Sequence, residues 1–458
     1  MVCRKGLWMM KKNYEIDMCN GPLFGKILIF ALPLVLSGIL QLLFNAADVV
    51  VVGQFAGEQA LAAVGSNGSL INLFVNLFIG CSIGTNVLVA QYYGAKDERN
   101  VEGIVHTSIL LGFICGVFLV FVGIFIAPEI LHWMDTPEDV LPLSVLYIRL
   151  YFLGMPAMLV YNFGAAVLRA VGDTRRPLYY LLAAGVVNVL LNLVFVIQFH
   201  MSVAGVALAT VISQYLSAAL ICRCLMKSEG MYRLDLQKLR LEKYKVFQIV
   251  RIGLPAGLQS VVFSISNVMI QSSVNSFGSI AMAGNTAASS VDGFIYTSMN
   301  AVYQTTLSFT SQNVGGRRYD RIPKILVQCL GVVLVIGCAM GFLAYQFGPQ
   351  LLGIYSKEAE VVEFGMIRMG WVGKFYFLCG IMEVFVGIMR GLGYAITPMI
   401  VSLTGACLLR IIWIMTIFKQ QHTLDVLYMS YPVTWIVTLI VHFICICIVW
   451  RKVKRRGL

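Results

Sequence analysis

The sequence predicts an all-α integral membrane protein of twelve transmembrane helices, arranged as two pseudo-symmetric six-helix lobes. Three observations carry this. Of 458 residues, 59% are hydrophobic and only 12% charged, a balance foreign to soluble domains. Basic residues recur in short clusters at every second loop. The second half of the chain repeats, in order, the polar punctuation of the first.

A bilayer span needs about 20 mostly apolar residues. Runs of that kind fall at 27–52, 62–90, 104–127, 141–167, 178–199, 204–225, 248–275, 281–310, 325–347, 363–389, 399–418 and 428–450. Trp133, Trp371 and Trp450 lie near span ends, where interfacial aromatics anchor. The chain then divides into a tail (1–26), an N-terminal lobe (27–225), a linker (226–247), a C-terminal lobe (248–450) and a basic tail (451–458). The linker carries Lys227, Arg233, Lys238, Arg240, Lys243 and Lys245. Residues 1–26 lack a signal-peptide pattern, so the first span is expected to act as the targeting signal.

The net charge of +12 invites a nucleic-acid reading, but its distribution argues against one. The clusters are Arg4, Lys5, Lys11, Lys12 and Lys26; Lys96 and Arg99; Arg169, Arg175 and Arg176; the stretch Arg223 to Arg251; Arg317, Arg318, Arg321 and Lys324; Arg390; and Arg451 to Arg456. Intervening loops hold almost none, Lys357 and Lys419 apart. This is the positive-inside pattern, and it predicts that both termini are cytoplasmic. The basic excess serves topology and attraction to anionic lipids. Expected partners are small molecules and membrane lipids, with no nucleic acid, around a monomer. The 12 cysteines fall in spans or on the cytoplasmic side, where free thiols are expected. The five histidines are scattered and expected at interfaces. No metal site and no cofactor is expected beyond a coupling ion, H+ or Na+.

The repeat is ordered. Leu32-Pro33 matches Leu254-Pro255, and Asn45 falls on Asn267 at the same offset. Gln91-Tyr-Tyr-Gly94 matches Gln312-Asn-Val-Gly315, with Lys96 against Arg317. Arg169-Ala-Val-Gly172 then Pro177 matches Arg390-Gly-Leu-Gly393 then Pro398. Six spans per half is even, so the repeats are parallel and related by an axis along the membrane normal. Gly172 and Gly393 are expected to end helices four and ten, with Pro177 and Pro398 in the first turn of the next helix. Pro33 and Pro255 occupy equivalent places in spans one and seven. Both are read as helix hinges, because an internal proline removes a hydrogen bond and kinks the helix; the alternative is a static kink.

Asp48 sits inside the first span, where a carboxylate costs about 2.5–3.5 kcal/mol even on insertion scales. Gln41, Asn45 and Asp48 share one helical face by spacing. Span five carries Asn188 and Asn192, four apart, and Thr210 in span six could join them. Their repeat counterparts include Ile270, Leu409 and Trp413, so only the first half has this set. One charge among neutral oxygens reads as a small-cation or proton site. Interhelical hydrogen bonding accounts for the amides but leaves the carboxylate unexplained. In the second half, Asp292 shares an approximate face with Asn285, Ser289, Tyr296 and Asn300. Glu383 stands where the first half has Asn162. Asp292 and Glu383, with Gln41, Asn45 and Asn162, are assigned to a substrate cavity. A second titrating site is the other functional reading of these carboxylates, and the structural alternative is a buried carboxylate paired with a nearby base, Arg410 or Lys374. GxxxxGK[ST], HExxH, GxSxG and metal-spaced Cys/His patterns do not occur, which argues against P-loop nucleotide hydrolysis.

The string Asn162-x6-Arg169-Ala-x-Gly172-Asp173-Thr174-x-x-Pro177, followed by Asn188-x3-Asn192-x2-Phe195 and Val203-Ala-Gly-Val-Ala-x-Ala-Thr210, resembles the multidrug and toxic compound extrusion (MATE) family. So do Asp48 in span one, Gln91-x-x-Gly94 with its repeat Gln312-x-x-Gly315, and Arg390-Gly-x-Gly393-x4-Pro398. The resemblance covers about Pro22 to Lys452 and looks closest to a bacterial, DinF-like branch. It implies the MATE fold, a central cavity, and export of drugs or metabolites against entry of Na+ or H+. By resemblance, Pro33 bends the first helix, and Asp48, Asn188, Asn192 and Thr210 form the N-lobe cation site. Two positions depart from the family. Asn192 stands where some members have an acid, which weakens the case for Na+. An acidic position of other branches falls on Cys379, with Glu383 one turn later. The expected function is a cation-coupled exporter of amphipathic, cationic molecules in a bacterial cytoplasmic membrane, not an enzyme. A flippase for a lipid-linked precursor would call for extra helices or a strongly basic cavity. A membrane-embedded lipid-modifying enzyme would cluster its polar residues at one interface, and a channel would need a continuous polar lining.

Overall fold

The computed structural model describes residues 14–133 and 136–455, and every regular element among them is helical. Twelve long helices follow in chain order. They are α1 (Leu23–Phe55), α2 (Gln59–Gly94), α3 (Glu98–Trp133), α4 (Leu141–Phe152 with Met155–Ala170), α5 (Arg175–Gln198) and α6 (Ser202–Lys227). Then come α7 (Lys243–Asn275), α8 (Ser279–Gly315), α9 (Tyr319–Gln346), α10 (Ala359–Gly391), α11 (Ile396–Phe418) and α12 (Leu424–Arg455). Each coincides with one predicted span. Residues Arg4, Lys5, Lys11, Lys12, Arg456 and Cys3 lie outside the described residues.

Ten of these helices are long and apolar enough to cross a membrane, and the bent pair of α4 makes an eleventh. The chain is a multi-pass membrane protein. The remaining helix, α8, is 37 residues long but rich in Ser, Thr and Asn. Its polarity has a packing cause. Neighbours α1, α2, α9 and α10 wall it in, so little of it needs to face lipid. Many of its hydroxyls are satisfied within the helix: Thr305 donates to Ala301 O, Thr306 to Val302 O and Ser311 to Leu307 O, which lowers the cost of unexposed polar groups in a membrane.

The repeat is written in the backbone. Left-handed φ angles recur in matched pairs at Gly57 and Gly278, Lys96 and Arg317, and Gly172 and Gly393. Helices α4 and α10 end at Ala170 and Gly391, just before Gly172 (φ 99) and Gly393 (φ 89). Glycine takes that conformation without the Cβ penalty. Pro177 and Pro398 fall in the first turn of the following helices. Helices α4 and α10 also break at corresponding points. The first bends by 46° after Phe152, and the second is interrupted at Lys374 and Phe375.

The lobes exchange half-helices. Leu23, Ile27, Phe30 and Leu34, early in α1, pack into the core of the C-terminal lobe with Val302, Phe309 and Met389. Val51 and Val52, at the far end of the same helix, belong to the N-terminal core. Helix α7 mirrors this: Ile249 and Ile252 sit in the N-terminal core, Ile270 and Val274 in a C-terminal one. The lobe assigned to 27–225 is thus not self-contained, since half of its first helix packs on the other lobe. Pro33 and Pro255 lie inside these crossing helices.

Lipid tails are as apolar as side chains, so close packing has to hold such helices together, and small residues allow it. At the seam, a Cβ on Gly80 would overlap Gly257 N, and one on Gly84 would overlap Ile249 O. At the terminal face, the end of the bundle where α1 begins and α12 ends, a Cβ on Gly94 would overlap Gln312 O and one on Gly315 would overlap Gln91 O. A strap ahead of α1 crosses this terminal face. Glu15 accepts from Tyr93 Oη (2.9 Å) and from Tyr232 Oη, Asn313 Nδ2 donates to Met18 O (3.1 Å), and Arg321 donates to Gly21 O (2.9 Å). Both lobes are tied at that end.

The segment expected to be a linker is a docked loop. Tyr232 and Leu234 are buried in the N-terminal core, and Lys238 pairs with Glu102 at 2.9 Å. Asp235 N donates to His106 Nε2 at 2.9 Å. His106 and His442 are buried, not interfacial, because each has a polar partner inside the protein.

Candidate functional site

Two polar groups stand at membrane depth, one in each lobe. In the N-terminal lobe, α5 presents Asn188 and Asn192 on one face and both are buried. Asn192 Nδ2 donates to Asp48 Oδ1 from α1 and reaches Asn188 Oδ1 at 3.4 Å. Asn188 Nδ2 donates to Thr210 Oγ1 of α6 at 3.3 Å, and that hydroxyl donates to Val206 O at 3.0 Å. The four predicted residues thus form one chain across three helices. A widened helical turn at Val194–Gln198 begins two residues after Asn192, a feature frequent at functional sites.

The chemistry of this group is unbalanced. Among the described residues, no lysine or arginine lies within 4.0 Å of Asp48. Its hydrogen-bond partner is an amide, and the buried Asn192 Oδ1 has no donor. A carboxylate with an idle neutral oxygen beside it can take a proton or a small cation, and either would remove a bare charge from the membrane. Gln41 and Asn45 are exposed on α1 and join neither this chain nor the cavity described next. Asn162 bonds within its own helix, Nδ2 to Met158 O at 2.8 Å, and does not line that cavity. Helical spacing placed Gln41 and Asn45 on the face of Asp48, but three-residue and four-residue steps fix a stripe only to within tens of degrees.

In the C-terminal lobe a cavity of about 390 Å³ is lined by α7, α8, α10, α11 and α12 with one face of α2. That size suits a small ligand. Glu383 and Cys379 line it, one turn apart, as do Tyr296 and Asn300. Asp292 does not. It forms a buried ion pair with Arg368 Nε at 3.0 Å, and Arg368 also donates to Asn285 Oδ1 at 2.9 Å. Tyr428 Oη donates to the same oxygen at 2.9 Å. The expected partners Arg410 and Lys374 are not involved. Lys374 instead lies over the Tyr345 ring at 3.5 Å.

Two arginines missed as site residues line the cavity. Arg390 reads in sequence as a topology charge, yet it is buried and donates to Tyr303 Oη (2.6 Å) and Gln259 Oε1 (2.8 Å). Arg410 is buried over the Tyr431 ring at 4.0 Å. A signal for Arg410 existed, since it stands inside an apolar span, where a charge costs as much as it does at Asp48.

These geometries make Asp292 a structural acid. Replacing it by alanine strands Arg368, so Asp292→Ala should cost about 3–5 kcal/mol of stability, the usual toll of breaking a buried pair. The measurement is the thermal unfolding midpoint in detergent. Joint replacement, Asp292→Leu with Arg368→Met, should recover most of the loss. A single variant as stable as the parent would return Asp292 to the cavity role.

Comparison with known proteins decides the family. The MatE sequence family matches residues 33–194 and again 255–416, so the two matches begin at Pro33 and Pro255 and together cover well over half of the chain. The chain belongs to the MATE family. As a MATE protein it is a transporter and not an enzyme. It is 27% identical over 433 residues to a probable multidrug resistance protein, YoeA of Bacillus subtilis, covering 93% of each chain. It is 22% identical to the probable multidrug resistance protein NorM of Thermotoga maritima, covering 81% of each. Among solved structures, an outward-facing multidrug resistance MATE transporter of the MOP superfamily superposes with a TM-score of 0.89 at 21% identity, over 96% of this chain and 98% of that one. That match extends the twelve-helix MATE fold to this chain.

Proposed function

We propose that this MATE protein is a secondary active antiporter that exports amphipathic organic molecules in exchange for H+ or Na+, with Asp48 as the coupling group. One observation carries the reading: a carboxylate at membrane depth, without a base, held in a shell of Asn188, Asn192 and Thr210. The relatives' names as multidrug resistance proteins supply the substrate class. Helix α1 offers the mechanical link. Its far half carries Asp48 against α5, and its near half packs on the C-terminal core. Neutralising Asp48 changes what the far half prefers as a neighbour, and Pro33 supplies a joint for the near half to respond. The positive-inside pattern supports a cytoplasmic terminal face, and the bacterial relatives support the inner membrane of a bacterium. The strap and the glycine seam then close the cytoplasmic side in this conformation. The protein works as a monomer surrounded by lipid.

Export of a lipid-linked precursor is the second reading. The two cavity arginines favour it, whereas the count of twelve long helices does not. The test is transport in proteoliposomes with Na+ and pH gradients imposed separately, reading fluorescein and rhodamine 123. Uphill movement of at least one dye under one gradient, lost when that gradient is collapsed, is the expected result. The absence of uphill movement under either gradient would overturn the antiport reading.

A further inference from the structure

The C-terminal cavity holds more positive than negative charge. Guanidinium groups stay charged in proteins, so Arg390 and Arg410 contribute two cations against one carboxylate, Glu383. Both arginines are buried, and the Nε of each has no partner. Among the described residues, neither has a carboxylate within 4.0 Å. Neutral groups hold them: Tyr303 and Gln259 for Arg390, and the Tyr431 ring with Thr434 Oγ1 at 3.4 Å for Arg410.

Arg368 shows what a structural arginine looks like in this lobe. It is buried beside the same helices and fully engaged by Asp292 and Asn285. Arg390 and Arg410 face a cavity and lack such an acid. A buried charge without a counter-charge is costly, and an intramembrane ionisable residue facing a cavity points to a ligand that completes it. The sequence-based expectation of cationic substrates is at odds with these charges.

We infer that the C-terminal cavity is an anion site that takes the carboxylate, sulfonate or phosphate head of an amphipathic organic anion on Arg390 and Arg410. Tyr431 and Trp435 offer its apolar body an aromatic wall. The inference names the substrate class of the proposed exporter and rests on that reading for its transport role, but the site itself can be assayed by binding alone. Its head group has two sources, a free organic anion or an anionic lipid.

The experiment is equilibrium binding to the full chain in phosphatidylcholine nanodiscs, read by fluorescence polarisation. Fluorescein and rhodamine 123 share a xanthene core and carry opposite charge. The parent should bind fluorescein more tightly. Arg410→Gln should weaken fluorescein by about tenfold or more, the scale of a charge-assisted contact, without weakening rhodamine 123. Arg410→Lys should keep most of the affinity. Glu383→Gln, which removes the cavity's carboxylate, should tighten fluorescein binding, a gain that misfolding cannot produce. Tighter binding of rhodamine 123 by the parent would overturn the inference. So would fluorescein affinity unchanged in both Arg410→Gln and Glu383→Gln.

Substituting phosphatidylglycerol into the nanodiscs separates the sources. Displacement of fluorescein assigns the site to a lipid head group, and undiminished binding assigns it to a free anion. A protein that binds fluorescein but moves neither dye uphill keeps the anion site and loses the antiport reading. One that moves rhodamine 123 uphill without binding fluorescein does the reverse.

Discussion

Asp48→Asn should abolish gradient-driven efflux while leaving the protein folded and able to bind substrate. Asparagine keeps the shape of the side chain and can still hydrogen-bond with Asn192, which donates to Asp48 in the parent. It cannot alternate between charged and neutral states. A coupling group frozen in one state cannot link a cation gradient to the lobes, so the initial rate of uphill efflux should fall by at least about tenfold and approach the protein-free background. Stability should change little, within about 1 kcal/mol, because a neutral amide is easier to hold in the membrane than a carboxylate without a base. The comparison needs efflux in proteoliposomes, thermal unfolding and equilibrium dye binding, all at matched protein. Near-normal uphill efflux would move the coupling role to Glu383, which lines the C-terminal cavity and, among the described residues, has no base within 4.0 Å.

The two lobes thus carry opposite chemical offers on one repeated scaffold. The N-terminal lobe offers an acid in a shell of neutral oxygens. The C-terminal lobe offers two arginines and one acid around a cavity. Exchange of a cation for an organic anion through such a pair differs electrically from exchange of a cation for a cation. For one-for-one exchange of unit charges the first moves net charge across the membrane and the second moves none, so only the first responds to an imposed membrane potential, and the charge of the cavity bears on energetics as well as selectivity.

How far this was legible in the sequence follows from which forces leave a linear trace. Span limits were legible because a bilayer sorts residue types by depth, and a helix obeys that sorting along its whole length. Helix α8 is the informative exception. It is too polar to count among the helices apolar enough to cross a membrane, yet its run at 281–310 still read as a span, in agreement with the matched Gln91 and Gln312 motifs. Asn188 and Asn192 were legible because they share a helix and a face. Their meeting with Asp48 joins separate helices, and the family resemblance pointed to that. Arg368 as the partner of Asp292 was not legible, since pairing between distant spans has no period. Arg390 was misread because a cavity arginine and a loop arginine at a helix end look alike in one dimension. The crossing of α1 and α7 between lobes was invisible too, because chain order groups helices that packing then separates.

Gly84→Val should stop efflux by a different route, by prising open the seam that closes the terminal face. Gly84 of α2 lies against the backbone of α7, where a Cβ would overlap Ile249 O and stand 3.0 Å from Gly253 N. Backbone cannot yield as the tip of a side chain can. Overpacking of this kind costs roughly 1–3 kcal/mol, and about 2 kcal/mol shifts a two-state balance by about thirtyfold. The cost falls on the conformation with the seam closed, so the population moves toward opening at the terminal face. Cys81 is a native reporter of that opening, since it is buried in the same seam, where a Cβ on Gly253 would overlap Cys81 Cα. Maleimide labelling of Cys81, located by peptide mass spectrometry, should rise sharply in Gly84→Val, and transport should fall because the cycle stalls in one state. Stability measured by thermal unfolding should drop far less than in Asp292→Ala, because the lobes can separate without exposing an unpaired charge. Normal efflux together with unlabelled Cys81 would show that α2 and α7 tolerate the added methyls. Closure of the terminal face would then have to depend on the strap from Glu15 to Gly21 and not on the glycine seam.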